Sequence, residues 1–281
     1  MTKKHAKTFY MATRFLPNHK QRGIFAIYGL CRYLDDLVDE AEDLMYHKRI
    51  TIQQVDDKLQ TFKRDLTNVY NGQGANDPIL TAFSDTLRQY NISIEFPDLL
   101  MEGVKTDLVK SRFENFEEVY DYSYKVASVV GLMTSEVFGY TDPKALEYAI
   151  DLGIAMQLTN ILRDIGEDLD RGRIYLPQDE LKKFGVTEAE LFRKELSPKF
   201  IELMKFQIER ARSYYHRADI GISMLSNDSR LPVYLARHNY SRILTKIEEN
   251  KYNVLDTRAY LNYTEKLSIL PKVFLELKSA S

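Results

Sequence analysis

Residues 148–168 read YAIDLGIAMQLTNILRDIGED, and this stretch decides the fold. From Tyr148 to Ile165 its apolar residues nearly surround a helix, as expected of a helix buried on most sides. Yet Asn160, Asp164 and Asp168 follow one another at spacing four, with Gln157 on the adjoining turn. Four residues advance an α-helix by slightly more than one turn, so these side chains form one stripe, about 40° apart around the axis. Buried carboxylates are costly unless paired or metal-bound. A helix C-terminus, where the dipole is negative, disfavours them further. A bound cation offsets both costs.

A second stretch has the same character. From Gly23 to Val38 apolar residues again nearly surround the helix, and Asp35 and Asp39 stand four apart at what reads as its C-terminal end. If the two helices face each other, carboxylates converge from both sides of a cavity. Mg²⁺ suits that arrangement, because it binds through a few carboxylates plus substrate phosphates. Arg32 and Arg163 stand beside the two clusters, either as local ion pairs or as bidentate grips on phosphate oxygens.

Outward from these stretches the pattern is helical nearly throughout. Only 12 Gly and 8 Pro punctuate 281 residues. Asp142-Pro143 and Ser197-Pro198 read as cap-plus-first-residue pairs, and Thr187 to Glu190 as a capping box. Arg171-Gly172-Arg173 opens a non-helical connection ending at Pro177, and residues 267–277 read as an amphipathic closing helix. Strand alternation and repeats are absent, so one all-α domain over residues 1–281 is expected. The net charge of −2 gives no sign of a nucleic-acid partner. Cys31 is the only cysteine, which fits a reducing cytoplasm. No apolar run reaches the roughly 18 residues of a membrane span, so a soluble protein, at most peripheral to a membrane, is expected.

Taken together, Cys-Arg-x-x-Asp-Asp-x-x-Asp from Cys31, Gln-x-x-Asn-Ile-Leu-Arg-Asp-x-x-Glu-Asp from Gln157, and Gly-Arg-Ile-Tyr-Leu-Pro from Gly172 resemble the squalene/phytoene synthase family. Within it the chain looks most similar to the short bacterial dehydrosqualene (4,4'-diapophytoene) synthases. The resemblance runs from His5 to the C-terminal helix and implies a single-domain helical bundle around a central cavity, the class I isoprenoid (terpenoid) synthase fold. It implies head-to-head condensation of two farnesyl diphosphates, through presqualene diphosphate, to dehydrosqualene in carotenoid biosynthesis. Asp35, Asp39, Asn160, Asp164 and Asp168 match the family's metal positions, for two or three Mg²⁺ ions. Arg32, Arg163, His5, Lys7 and Thr8 match its diphosphate-contact region, and Tyr28, Tyr124, Gln157 and Tyr240 its cavity positions. Tyr124, Arg163, Asp35 and Asp164 are the catalytic candidates, with Tyr124 or released diphosphate as the proton acceptor.

NADPH is not expected. Squalene synthase, phytoene synthase, a terpene cyclase and a non-catalytic assembly factor of the same fold are the competing readings. The implied setting is cytoplasmic or peripheral at the inner membrane face, with membrane contact for product release and downstream carotenoid enzymes as partners. Ala6 departs from the family's common Ser. Ala127-Ser128 stands where the family has Ala-Gly, and among the basic residues common near its C-terminus only Lys266 is matched.

Overall fold

The computed structural model describes residues 12–47 and 49–279; His5, Lys7 and Thr8 lie outside the described residues. The elements are α1 (Asn18–Tyr46), α2 (Ile52–Tyr70), α3 (Pro78–Leu87), α4 (Glu95–Val109) and α5 (Phe116–Ser123), followed by a π-helical turn, Tyr124–Ser128. Then come α6 (Val129–Phe138), α7 (Ala145–Asp170), α8 (Gln178–Phe184), α9 (Glu188–Phe192), α10 (Pro198–Ile222), α11 (Asn227–Glu249), α12 (Tyr263–Leu267) and α13 (Leu270–Ser279). Among the described residues the non-helical pairing is two isolated bridges, Arg112 with Ile174 and Tyr140 with Leu225. None of their helices is long and apolar enough to cross a membrane.

Local chemistry sets many of the helix starts. Ser197 caps α10 by accepting from the Phe200 amide, with Pro198 as its first residue, where no N–H is needed. Thr187 and Glu190 form the capping box of α9, and Asp77 accepts from the Ile79 and Leu80 amides at the start of α3. Asp142 behaves differently from the sequence expectation. Its side chain accepts from the Lys144 amide inside a turn, and α7 begins at Ala145. The α1 expectation also changes. The helix continues to Tyr46, so Asp35 and Asp39 lie in its middle, clear of the C-terminal dipole. Only Asp164 and Asp168, in the last two turns of α7, carry that penalty.

Helix α7 is the central element, packed against α10, α11, α6 and the π turn. Its buried residues include Ile154, Ala155, Leu158, Ile161, Leu162 and Ile165, pointing in nearly all directions around the axis. They belong to a core shared with Phe200, Met204 and Ile208 of α10 and Leu244 of α11. A second core joins Leu30 and Leu34 of α1 to Phe83, Leu100 and Met133. The π turn shows as the Val129 amide donating to the Tyr124 carbonyl, five residues back.

That turn presses onto α7 at Gly153. A Cβ there would lie 2.5 Å from the Ser128 Cα and 2.7 Å from its backbone nitrogen. Ser128 Oγ donates to the Ile150 carbonyl at 2.9 Å, tying the two backbones together. Backbone cannot step aside as a flexible side chain can. Gly153→Ala is therefore expected to destabilise the fold by about 2–3 kcal/mol, at the upper end of overpacking costs. Urea unfolding measures this, and an unchanged midpoint would show that the two helices part freely.

Candidate active site

An apolar cavity of about 410 Å³ opens between α1, α6, α7, α10 and α11. Helix α7 lines it with Ala145, Tyr148, Ala149, Leu152, Gly153, Met156, Gln157 and Asn160, a stripe at helical spacing. Helix α1 contributes Ile24, Ile27, Tyr28, Cys31 and Asp35, again one stripe. A polar space of about 250 Å³ adjoins it, lined by Asp39, Asp164 and Asp168 with Arg163, Arg171, Arg173 and Arg258. Asp107, Tyr122, Gln157, Asn160 and Tyr240 line both spaces. The polar space is therefore a mouth continuous with the apolar cavity, and residues of both acidic clusters border it.

The carboxylates there are not alike. Asp164 is buried and accepts from Arg163 Nε at 2.7 Å and from Arg258 Nε at 2.6 Å. Burial pushes its carboxyl up, but the hydrogen bonds and charge of those two arginines outweigh this and hold it below its ordinary value. Asp168 has no such clamp. Burial, then the neighbouring Asp164 charge, pushes it up to about 8. Asp35 is pushed up to about 7 by burial and then by Asp39. Asp39 itself lies 3.5 Å from Arg171, the contact that links α1 to the end of α7.

Several site residues were not found from the sequence. Asp107 of α4 adds to the upward push on both Asp35 and Asp168, so it sits close enough to both clusters to repel them. Its carboxylate accepts from the hydroxyls of Tyr122 at 3.1 Å and Tyr175 at 2.7 Å, and its carbonyl from Arg173 at 2.6 Å. Arg258 lies in the connection after α11, 94 residues from its partner. That connection crosses α7 at Gly166, where a Cβ would lie 2.2 Å from the Leu255 carbonyl oxygen. Glycine at 166 thus lets the Arg258 segment close over Asp164.

Two expectations meet a different geometry. Arg32 borders neither space; its Nε donates to Asp36 at 2.7 Å, the local ion pair. Tyr124 does not line the cavity, whereas Tyr122 does. The π turn explains this. At α-helical spacing Tyr124 shares a face with Ala127, but a π turn closes after five residues, and that aligns Tyr122 with the cavity-lining Ala127. Tyr124 instead lies near Glu95 and Tyr120.

The donor set fits a hard divalent cation. Asn160 Nδ2 donates to Gln157 at 3.2 Å, while Asn160 Oδ1 is buried with no hydrogen-bond partner. An orphaned acceptor beside mutually repelling carboxylates is what Mg²⁺ satisfies, through oxygen ligands alone. As the side chains stand, no three His, Cys, Asp or Glu among the described residues are gathered tightly enough to hold a metal. Asp35, Asn160 and Asp168 supply the uncommitted oxygens, while Asp39 and Asp164 would each have to exchange an arginine for the ion.

The Asp168 shift has a consequence for stability. A carboxyl raised in the fold contributes stability that is complete below its ordinary value of 3.8 and lost as pH rises through about 8. Asp168→Asn removes that loss. In EDTA the variant is expected to melt above the parent protein near pH 8, with the difference closing as pH falls toward 4. Added Mg²⁺ should raise the parent's melting temperature more than the variant's. Equal melting curves in EDTA at the higher pH would mean that this carboxylate is not under repulsion.

Comparison with known proteins agrees with this geometry. A family model described as squalene/phytoene synthase matches residues 2–265. The chain is 40% identical over 288 residues to the 15-cis-phytoene synthase of Synechococcus elongatus, covering 98% of this chain and 90% of that protein. It is 41% identical over 274 residues to the chloroplastic phytoene synthase 2 of Solanum lycopersicum, covering 95% and 85%. Among solved structures, a dehydrosqualene synthase in complex with ligand aligns with a TM-score of 0.89 at 29% identity, covering 99% of this chain and 94% of the other. The squalene synthase HpnC from Alicyclobacillus acidocaldarius aligns with a TM-score of 0.80 at 25% identity, covering 90% and 92%. An all-helical isoprenoid-synthase fold, an acidic mouth over a dry cavity and a family match across most of its length place this chain in the squalene/phytoene synthase family of prenyltransferases.

Proposed function

We propose that this protein joins two geranylgeranyl diphosphates head to head, through a cyclopropyl diphosphate, to give phytoene. The observation that carries the prenyl chemistry is the continuity of the acidic mouth with the apolar cavity through Asp107, Tyr122, Gln157, Asn160 and Tyr240. A diphosphate fits the first space and a hydrocarbon tail the second. The twenty-carbon substrate is favoured because curated relatives at about 40% identity are named phytoene synthases. The sequence resemblance had favoured farnesyl diphosphate and dehydrosqualene. That remains the second reading, supported by the structural likeness to a dehydrosqualene synthase at lower identity.

Bound Mg²⁺ would neutralise the departing diphosphate, held by Asp35, Asp39, Asn160, Asp164 and Asp168. The remaining work belongs to the chain itself. Arg163 and Arg258 border the mouth and carry donors suited to diphosphate oxygens. The apolar stripes of α1 and α7 exclude water that would quench an allylic cation. The rings of Tyr28 and Tyr240, both on the cavity wall, offer π-faces to passing positive charge.

Two protons must leave carbon, one as the cyclopropyl diphosphate forms and one as the conjugated triene is completed. Tyr122 takes the place expected of Tyr124 here. Its hydroxyl donates to Asp107 Oδ2, so its oxygen can accept a substrate proton as its own proton passes to that carboxylate.

Purified protein given geranylgeranyl diphosphate and Mg²⁺ without reductant is expected to form a forty-carbon hydrocarbon with a conjugated triene, read by mass spectrometry and absorbance. A thirty-carbon product from farnesyl diphosphate alone would move the assignment to dehydrosqualene synthase. A strict need for NADPH would move it to squalene synthase. A cyclic product from one substrate would indicate a terpene cyclase, and no turnover an assembly factor.

Asp35→Asn, Asp39→Asn, Asp164→Asn and Asp168→Asn are each expected to slow turnover by about 10²-fold or more, roughly 2.7 kcal/mol of transition-state stabilisation. Tyr122→Phe is expected to slow hydrocarbon formation while Tyr124→Phe changes it little. Single-turnover assays that follow the cyclopropyl intermediate and the hydrocarbon separately measure the contrast. The reverse ranking of the two tyrosines would restore Tyr124 as the reacting hydroxyl.

A further inference from the structure

We infer that Tyr148, seated on Gly221, is the floor residue that sets which prenyl tail length the cavity accepts. The inference rests on the reading of the cavity as a prenyl-tail site. Several helices agree on which end of the cavity is deep. Asp39, Asn160 and Tyr240 mark the mouth on α1, α7 and α11. Moving away from these residues along the same helices leads to Ile24, Ala145 and Val233, which also line the cavity. The deep end is therefore made where the start of α7 meets the end of α10.

Tyr148 is the one aromatic residue on the cavity stripe of α7. It lies twelve residues before Asn160, a depth of about 18 Å at 1.5 Å per residue. One isoprene unit lengthens an extended chain by roughly 5 Å, close to one helical turn of about 5.4 Å. Four such units, roughly 20 Å, bring a twenty-carbon tail to about the depth of the ring, and a fifth unit would run into it. What places the ring is Gly221. A Cβ at Gly221 would lie 2.2 Å from Tyr148 Cβ, 2.8 Å from Cγ and 2.9 Å from Cδ2. The ring is laid against bare α10 backbone, and any side chain at 221 displaces it. Ala145, almost one turn deeper, is small and also lines the cavity, so removing the ring opens further depth.

The test compares kcat/KM for farnesyl, geranylgeranyl and geranylfarnesyl diphosphates in the full chain with Mg²⁺. Tyr148→Ala is expected to raise the longest substrate relative to the middle one by about tenfold or more, since even one methylene in an apolar pocket is worth that much. Gly221→Ala drives the ring into the cavity and shifts preference toward farnesyl diphosphate. Combining Gly221→Ala with Tyr148→Ala cancels that shift, because no ring is left to displace. If Gly221→Ala alone fails to fold, Tyr148→Ala and the double variant still decide. Parental ratios in Tyr148→Ala would overturn the floor assignment while leaving the prenyl reading intact. A parent protein that turns over none of the three would overturn that reading, and the floor with it.

Discussion

Carboxylates held out of water, facing one another across the mouth of a dry cavity, are the constraint on which this molecule is built. Arginines answer the charge only in part. Arg163 and Arg258 both converge on Asp164, while at Asp168 and Asp35 burial and like-charged neighbours outweigh the more distant Arg173, Arg171 and Arg32. A protein shaped only for stability would place neutral side chains here, since a repelling buried pair works against the fold. Retaining the repulsion makes sense where a polycationic partner completes the site, and strongly perturbed groups in a cleft mark such places. Asp107 sharpens the argument. It adds a further negative charge near both clusters, and Tyr122 and Tyr175 hold it by hydrogen bonds that carry no neutralising charge.

Much of this was legible in the sequence, for a specific reason. Hydrophobic periodicity reports burial, and spacing four reports a shared face, so the α7 stripe could be read with its environment attached. Asp35 could be read likewise, although its helix was expected to end much sooner than Tyr46. No Gly or Pro follows the cluster closely, and the helix continues through the acidic residues Glu40, Glu42 and Asp43 beyond it. Arg258 and Asp107 were not legible. Neither belongs to a cluster of like residues, and each gains its role only when a distant segment folds against it.

The tyrosine shows a subtler failure. Tyr124 was matched to a cavity position three residues before Ala127, which does line the cavity. The phase was wrong because a single π turn adds a residue to one turn and rotates everything before it. Periodicity arguments carry across such a turn with an error that leaves no trace in composition. Arg32 keeps the local of its two readings. It pairs with Asp36 at spacing four, off the cavity, while its charge still draws Asp35 down at spacing three.

Glycines connect the charge problem to the shape of the cavity. Gly153 lets the π turn approach α7, Gly166 lets the Arg258 segment close over Asp164, and Gly221 lets α10 approach Tyr148. All three contacts involve α7: Gly153 and Gly166 admit backbone where a side chain would otherwise stand, and Gly221 admits the Tyr148 ring. Helix α7 is thus approached closely on several sides while its remaining stripe stays open to the cavity. Glycine normally weakens a helix interior by roughly 1 kcal/mol relative to alanine. Here that cost is accepted at contacts that fix the mouth at one end of α7 and the floor at the other. The acidic stripe and the apolar stripe are therefore held in register by the same backbone, so that the charged head and the hydrocarbon tail of one substrate are measured along a single helix.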